Sequence, residues 1–225
     1  MSQKEYAVIV AGGKGTRIRS TIPKQFLELQ GLPILMHTLN AFYRYSRNIT
    51  VILVLPEDDF STWKKLCDTH NFDQPYILQK GGETRFQSVK NGLALIESDG
   101  LVAVHDGVRP LVSEDIIAAS FRLASVHQSA VAAVRLKESI RMTDQDNTKA
   151  VDRSKFRLIQ TPQTFQVSIL KKAYEIKEDS SLTDDASVVE KAGHIISLFE
   201  GSYENIKITT PEDLVIAEAL LRTRH

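Results

Sequence analysis

The sequence predicts an α/β protein built on a doubly wound, mostly parallel sheet, and three observations carry that prediction. Short apolar runs alternate with stretches whose apolar residues recur at helical spacing along the 225 residues. Most of the runs are continuously apolar, as strands covered on both faces should be. The first of them, Tyr6-Ala7-Val8-Ile9-Val10, leads into Ala11-Gly12-Gly13-Lys14-Gly15, a turn of the kind that brings backbone N–H groups close to an anion.

Strands are expected over 6–10, 49–55, 76–79, 101–105, 130–134, 195–199 and 206–209. Between them, Pro33 suits a first helical position, with Ile34, Leu35, Leu39 and Phe42 following at helical spacing. Phe86, Val89, Leu93 and Ile96 form one stripe over 85–96. Ser113 precedes Glu114 and Asp115, an N-cap followed by acids that complement the helix dipole. Thr210-Pro211-Glu212-Asp213 opens the last helix with a capping residue, a proline and an acid at the third position.

One region breaks the rhythm. Ile140-Arg141-Met142 and Ala150-Val151-Asp152-Arg153 flank the polar turn Asp144-Gln145-Asp146-Asn147. This reads as a β-hairpin arm, about 135–160, inserted in a single domain that spans 1–225. A projecting hairpin is marginal in water unless it packs on something. Exchange between two subunits would supply that packing, so a homodimer built partly on the arm is expected.

Composition bounds the function. Hydrophobic residues make up 42% of the chain and charged residues 25%, as in an ordinary water-soluble globule. The 28 basic and 28 acidic side chains balance, so no global field favours nucleic acid or a membrane surface, and an anion site must be a local concentration of charge. Cys67 is the only cysteine, which excludes an internal disulfide framework and a thiolate metal cluster; a core-facing position suits it better than catalysis. No apolar signal core or bilayer-length run is present, and a cytoplasmic location is expected.

Chemistry gathers at the ends of the expected strands. Lys14, Arg17 and Lys24 follow the first glycine turn, which suggests a triphosphate site. The turn lacks the spacing of a P-loop, and Ile18 stands where a dinucleotide fingerprint needs its third glycine. Lys80-Gly81-Gly82-Glu83-Thr84-Arg85 with Ser88 again joins a strand to a helix, where open sheets bind ligands. Val104-His105-Asp106-Gly107-Val108-Arg109-Pro110 ends another strand. There Asp106 suits a hydroxyl, a metal or an ion pair with Arg109, and His105 suits packing better than general-base work, having no visible partner. Arg153 and Lys207 stand apart from these clusters and declare no role by themselves, and the histidines show no zinc spacing.

Taken in order, these clusters, with Pro23-Lys24-Gln25, Val151-Asp152-Arg153, Gln160-Thr161-Pro162-Gln163, Thr183-Asp184-Asp185-Ala186-Ser187 and Asn205-Ile206-Lys207-Ile208-Thr209, resemble the 2-C-methyl-D-erythritol 4-phosphate cytidylyltransferases of non-mevalonate isoprenoid synthesis. The resemblance implies a Rossmann-like nucleotidyltransferase sheet with a dimerisation arm. It also implies transfer of CMP from CTP to a polyol phosphate with release of pyrophosphate, assisted by Mg2+ held mainly by the CTP phosphates; no metal ligands are assigned. The attacking phosphate oxygen is already ionised, so the reaction needs no general base, and positioning and electrostatics supply the catalysis.

Carried over position by position, Arg17, Lys24, Arg153 and Lys207 become the catalytic cations, with Arg153 reaching in from a second subunit. Ala11, Gly12, Gly13, Lys14, Gly15, Gly82, Glu83, Arg85, Ser88, Asp106 and Gly107 become CTP-binding residues. Asp106, Arg109, Ser139, Arg153, Thr161 and Lys207 become acceptor-binding residues. Gly12 and Ser139 replace an alanine and a threonine common in the family, changes that leave the reaction class intact. A ribitol 5-phosphate cytidylyltransferase shares the opening loop and the Gln-Thr-Pro-Gln stretch, but the arm's Val151-Asp152-Arg153-Ser154 follows the isoprenoid pattern. A non-catalytic nucleotide-binding module would not need the four cations. A nicotinamide dehydrogenase is disfavoured at Ile18.

Overall fold

A computed structural model describes residues 3–13, 22–144 and 147–223. Its strands are β1 (Glu5–Val10), β2 (Glu28–Leu29), β3 (Leu32–Pro33), β4 (Thr50–Leu55), β5 (Ile77–Lys80), β6 (Leu101–Asp106), β7 (Ser129–Arg135), β8 (Arg141–Asp144), β9 (Asn147–Ala150), β10 (Arg157–Gln166) and β11 (Leu198–Glu200). Its α-helices are α1 (Ile34–Tyr45), α2 (Phe60–His70), α3 (Arg85–Ala94), α4 (Glu114–His127), α5 (Val167–Ala173), α6 (Asp185–Lys191) and α7 (Pro211–Arg222).

Seven strands form the central sheet in the order β11-β7-β10-β6-β1-β4-β5. All neighbours are parallel except β10, which runs antiparallel between β6 and β7. Alternate residues of the central strands enter opposite cores, as the two-residue strand period requires. Ala7, Ile9, Leu53 and Ala103 pack with side chains of α1, α2 and α4 on one face. Val8, Ile52, Val54, Val102 and Val104 pack with α3, α5 and α6 on the other. This double coverage is the reason that the strands read as continuous apolar runs.

The helix starts follow local chemistry. Ser113 Oγ accepts the Ile116 N–H, and Thr210 and Asp213 form a reciprocal capping box ahead of α7. Pro33 ends β3 and takes the cap position of α1, one residue earlier than the sequence suggests.

Three expectations shift. The long strand β10 was not anticipated: Gln160, Thr161, Gln163 and Thr164 are buried polar residues, and Pro162 lies where the β7–β10 register slips between Ile159 and Gln163. Residues 206–209 are not a strand; the Ile208 N–H bonds the Val108 carbonyl at 2.9 Å and lays this segment beside the loop after β6. Finally, β11 covers only the end of the run expected over 195–199.

The hairpin is present as β8 paired with β9, with every side chain of both strands exposed. Its second strand ends before Val151, so Arg153 starts a 3-10 turn, Arg153–Lys155, at the base of the hairpin.

Candidate active site

The site lies at the carboxyl ends of the parallel strands, where an open α/β sheet leaves a crevice. Three chain segments converge there because their first residues continue the sheet's hydrogen bonding. The Ala11 N–H bonds the Val54 carbonyl at 3.0 Å, the Gly81 N–H bonds the Leu55 carbonyl at 2.8 Å, and the Gly107 N–H bonds the Val10 carbonyl at 2.9 Å. They enclose a cavity of about 910 Å³. Among the expected site residues, Ala11, Gly12, Gly13, Lys24, Gly82, Glu83, Arg85, Ser88, Asp106 and Lys207 line it.

Close approach of these segments depends on Gly107. A Cβ at that position would stand 2.7 Å from the Ala11 Cβ and 3.0 Å from Leu35 Cδ1. Gly82 is equally constrained, since its Cβ would stand 2.3 Å from the Gln87 Cβ. The turn at 82–83 is braced from within helix α3: Ser88 Oγ accepts the Gly82 N–H at 3.0 Å and donates to the Thr84 carbonyl at 2.9 Å, while Gln87 Oε1 accepts the Glu83 N–H at 3.0 Å. Thr84 caps that helix by accepting the Gln87 N–H at 3.1 Å.

Asp106 is the electrostatic centre. Its Oδ2 stands 3.0 Å from Lys207 Nζ and 3.2 Å from Arg109 Nε, and its Oδ1 stands 3.6 Å from Arg85 Nε. Burial alone would raise its pKa, but Arg85, Lys207 and Arg109 outweigh burial and hold the carboxyl well below the usual carboxylate range. Arg109 is itself fixed by donating to the Asn205 carbonyl at 2.8 Å. The Lys24 stem runs beside Gly13, and its Nζ donates to the Ile208 carbonyl at 3.3 Å. Lys24, near the other end of the chain, is thus tied to the segment that carries Lys207.

His105 has an interior role. It is fully buried and edge-on to Phe42, with ring centroids 5.2 Å apart. Nε2 is 3.3 Å from the Arg109 carbonyl and Nδ1 is 3.0 Å from Thr161 Oγ1, which in turn accepts the Asp106 N–H at 3.0 Å. A neutral imidazole that donates from Nε2 and accepts at Nδ1 satisfies the whole chain. Burial lowers its pKa to about 3. This is a packing and bracing histidine.

The family model of 2-C-methyl-D-erythritol 4-phosphate cytidylyltransferase matches residues 6–223. The chain belongs to that family. Among curated relatives, cytidylyltransferases of that name from Azobacteroides pseudotrichonymphae and Bacteroides thetaiotaomicron are 51% and 49% identical to it, covering 98% and 97% of the chain and all of each relative. The crystal structure of a 4-diphosphocytidyl-2C-methyl-D-erythritol synthase from Anaerococcus prevotii superposes with a TM-score of 0.84 at 29% identity, covering 98% of this chain and 96% of its own. The resemblance read from the sequence is therefore upheld, and the chain is a cytidylyltransferase-family enzyme.

The remaining residues expected at the site of this family member fall in three places. Gly107, Arg109 and Thr161 are buried behind the cavity wall and do not line it. Ser139 and Arg153 lie outside the cavity, at the root of the hairpin, where Arg153 Nη1 donates to the Lys137 carbonyl. Lys14, Gly15 and Arg17 fall outside the described residues. Sequence reasoning assigned no role to Gln25, Asp58, Asp59 or Thr84, which line the cavity as well. Gln25 Nε2 donates to Asp59 Oδ2 at 2.9 Å. Asp185, within Thr183-Asp184-Asp185-Ala186-Ser187, shows no role in the sequence either: it is fully buried and forms a bidentate pair with Arg85.

Among the described residues, no three His, Cys, Asp or Glu side chains converge to hold a metal ion, and no helix is long and apolar enough to cross a membrane. Asp106 is surrounded by cations, and Asp59 accepts from Gln25, so this donor set does not fit a metal held by the protein.

Proposed function

We propose that this enzyme transfers CMP from CTP to 2-C-methyl-D-erythritol 4-phosphate, giving 4-diphosphocytidyl-2-C-methyl-D-erythritol and pyrophosphate. The observation that carries the reading is the cavity in which Lys24, Arg85 and Lys207 meet the glycine turn after β1 and the braced turn after β5. Three cations beside two backbone turns suit a reaction that must bring two polyanions together. Family membership supplies the substrate class.

In this reading an oxygen of the acceptor phosphate attacks the α-phosphorus of CTP. The bond from that phosphorus to the oxygen bridging it to the β-phosphate breaks, and the electron pair leaves with pyrophosphate. No proton moves in that step, which is why a buried, neutral His105 is compatible with it. Ala11, Gly12, Gly13, Lys14 and Gly15 cradle the triphosphate, while Arg17 and Lys24 oppose the charge that builds at the α-phosphate and leaving group. Lys207, held beside Asp106 Oδ2, orients the acceptor phosphate. Asp106 receives a substrate hydroxyl, and Arg109 and Thr161 act from behind by fixing Asp106.

The turn at 82–83 meets the nucleoside with Arg85 beside it. Ser88 and Gln87 engage its N–H groups, so its carbonyls are the groups it offers to the cytosine amino group. Ser88 contributes through this bracing. Magnesium enters with the triphosphate as part of the nucleotide substrate, and no step here is routed through it.

The arm supports a homodimer. Met142 is 59% exposed and Leu158 is 53% exposed, and Phe156 and Ile159 add to the same region. A second subunit covering this region would bring Arg153 and Ser139 to the neighbouring acceptor site. Measuring pyrophosphate release with CTP and either methylerythritol phosphate or ribitol phosphate tests the reading. Faster turnover with methylerythritol phosphate is expected. Release only with ribitol phosphate would move the enzyme to the other acceptor, and no release with either would remove the assignment.

A further inference from the structure

Asp185 sits behind the cavity with its carboxylate fully engaged. Oδ1 accepts from Arg85 Nη1 at 3.0 Å and from the Tyr174 hydroxyl at 2.6 Å, and Oδ2 accepts from Arg85 Nη2 at 2.7 Å. The two parallel bonds fix the plane of the guanidinium. The clamp is itself anchored to strand β10. Gln163 Nε2 donates to Asp184 Oδ2 at 2.9 Å, and Gln163 Oε1 accepts the Ala186 N–H at 2.7 Å. Two residues earlier on the same strand, Thr161 holds the backbone of Asp106.

The effect of this clamp falls on Asp106. Its Oδ2 already carries Arg109 and Lys207, whereas Oδ1 has only Arg85 Nε nearby among the described residues, at 3.6 Å. That distance is too long for a hydrogen bond, yet short enough for charge stabilisation. With both terminal nitrogens on Asp185, Arg85 supports the charge of Asp106 without filling its second oxygen. A buried ion pair contributes little net stability after desolvation, and a specific geometry is the better account of its presence.

We propose that Asp185 is a positioning residue: by engaging both terminal nitrogens of Arg85 it keeps the guanidinium off Asp106 Oδ1 and leaves that oxygen to accept a hydrogen bond from a substrate hydroxyl. The hydroxyl belongs to the polyol or to the ribose of the nucleotide, and the proposal rests on the CMP-transfer reading for that choice of substrates. Asp185→Asn places an amide N–H against one Arg85 nitrogen and frees the guanidinium to turn onto Asp106.

The test is the Michaelis constant of each substrate in Asp185→Asn. The expected result is a rise of about tenfold or more in one of them, the loss that accompanies a hydrogen bond to a charged group, with kcat per folded site falling much less. A rise for the polyol phosphate assigns the hydroxyl to the acceptor, and a rise for CTP assigns it to the ribose. A purely structural role would reduce thermal stability and the folded fraction without moving either constant. The double variant Arg85→Gln/Asp185→Asn is expected to match Arg85→Gln alone, because the damage acts through Arg85.

Tyr174→Phe, which removes only the hydroxyl bond to Oδ1, is the second variant should Asp185→Asn fail to fold, with a smaller rise in the same constant. Both constants within about twofold of wild type in the folded variant would overturn the proposal. Calorimetric binding of CTP and of the polyol phosphate reads the same shift without turnover. Wild-type enzyme that binds both but releases no pyrophosphate would therefore count against the reaction and still leave the positioning of Arg85 measurable.

Discussion

Thr161 Oγ1 accepts the backbone N–H of Asp106 at 3.0 Å, so a side chain from an antiparallel strand fixes the residue on which the cations of the cleft converge. Because the same hydroxyl also faces His105 Nδ1 at 3.0 Å, its removal leaves two buried polar groups without partners. Thr161→Val keeps the shape and is expected to destabilise the fold by about 1–3 kcal/mol for each buried group left unsatisfied. Urea unfolding measures this. Turnover should fall as well, because Asp106 loses its placement. Thr161→Ser, which retains the hydroxyl, should recover most of both properties.

His105 makes stability depend on pH. Burial lowers its pKa from 6.5 to about 3, so between these values the unfolded chain binds a proton that the folded chain refuses. Its contribution is fully present above about pH 6.5 and is lost as pH falls toward about 3, by about 1.4 kcal/mol per pH unit. The Asp106 carboxyl is held well below the usual carboxylate range by Arg85, Lys207 and Arg109, so acid costs the fold that contribution as well. His105→Gln should start less stable and show a flatter decline in unfolding midpoint with acid. An equally steep decline in the variant would assign the acid sensitivity to other groups.

Lys24→Met separates charge from packing. Lys24 is buried along its stem beside Gly13, and methionine fills much of that space. The expected outcome is a folded protein whose kcat falls by about 10²–10³, the usual loss of one charge-stabilising group at a transition state. Pyrophosphate release, with a melting curve as control, decides the matter. Near-normal turnover would remove Lys24 from the reacting centre.

The arm can be tested by mixing subunits. Lys24→Met and Arg153→Ala are each expected to be nearly inactive. In a mixed dimer, the subunit with intact Lys24 receives an intact Arg153 from its neighbour. Activity should therefore appear on unfolding and refolding the two inactive proteins together. A mixture as inactive as its components would mean that each Arg153 serves its own subunit or none.

The legibility of the sequence followed physical lines. β1, β4, β6 and β7 were readable because burial on both faces leaves only apolar residues, and α4 and α7 were readable because their caps are local. β10 was hidden because its buried residues Gln160, Thr161, Gln163 and Thr164 are polar and satisfied by tertiary partners that no local pattern reveals. Lys207 was misplaced on a strand because Ile206 and Ile208 suggest alternation, whereas Ile208 packs instead against Val108, Leu111 and the α7 residue Ala217. The glycine turns and cations announced the cleft. The Arg85–Asp185 pair joins residues a hundred positions apart, and only the fold brings them together.

Strand β10 has a consequence for how the molecule can move. Its first residues, Arg157 to Ile159, are exposed just after the arm, while its later residues are buried beneath Asp106. A slip of one residue would turn every side chain to the opposite face, removing Thr161 from Asp106 and Gln163 from Asp184. Thr161 and Gln163 therefore cannot slide in small increments relative to Asp106 and Asp184. Movement of the exposed hairpin has to be absorbed in the turn of Arg153–Lys155, within the hairpin itself or at the irregularity between Ile159 and Gln163, which makes the buried part of β10 a fixed ruler beside the Asp106 carboxylate.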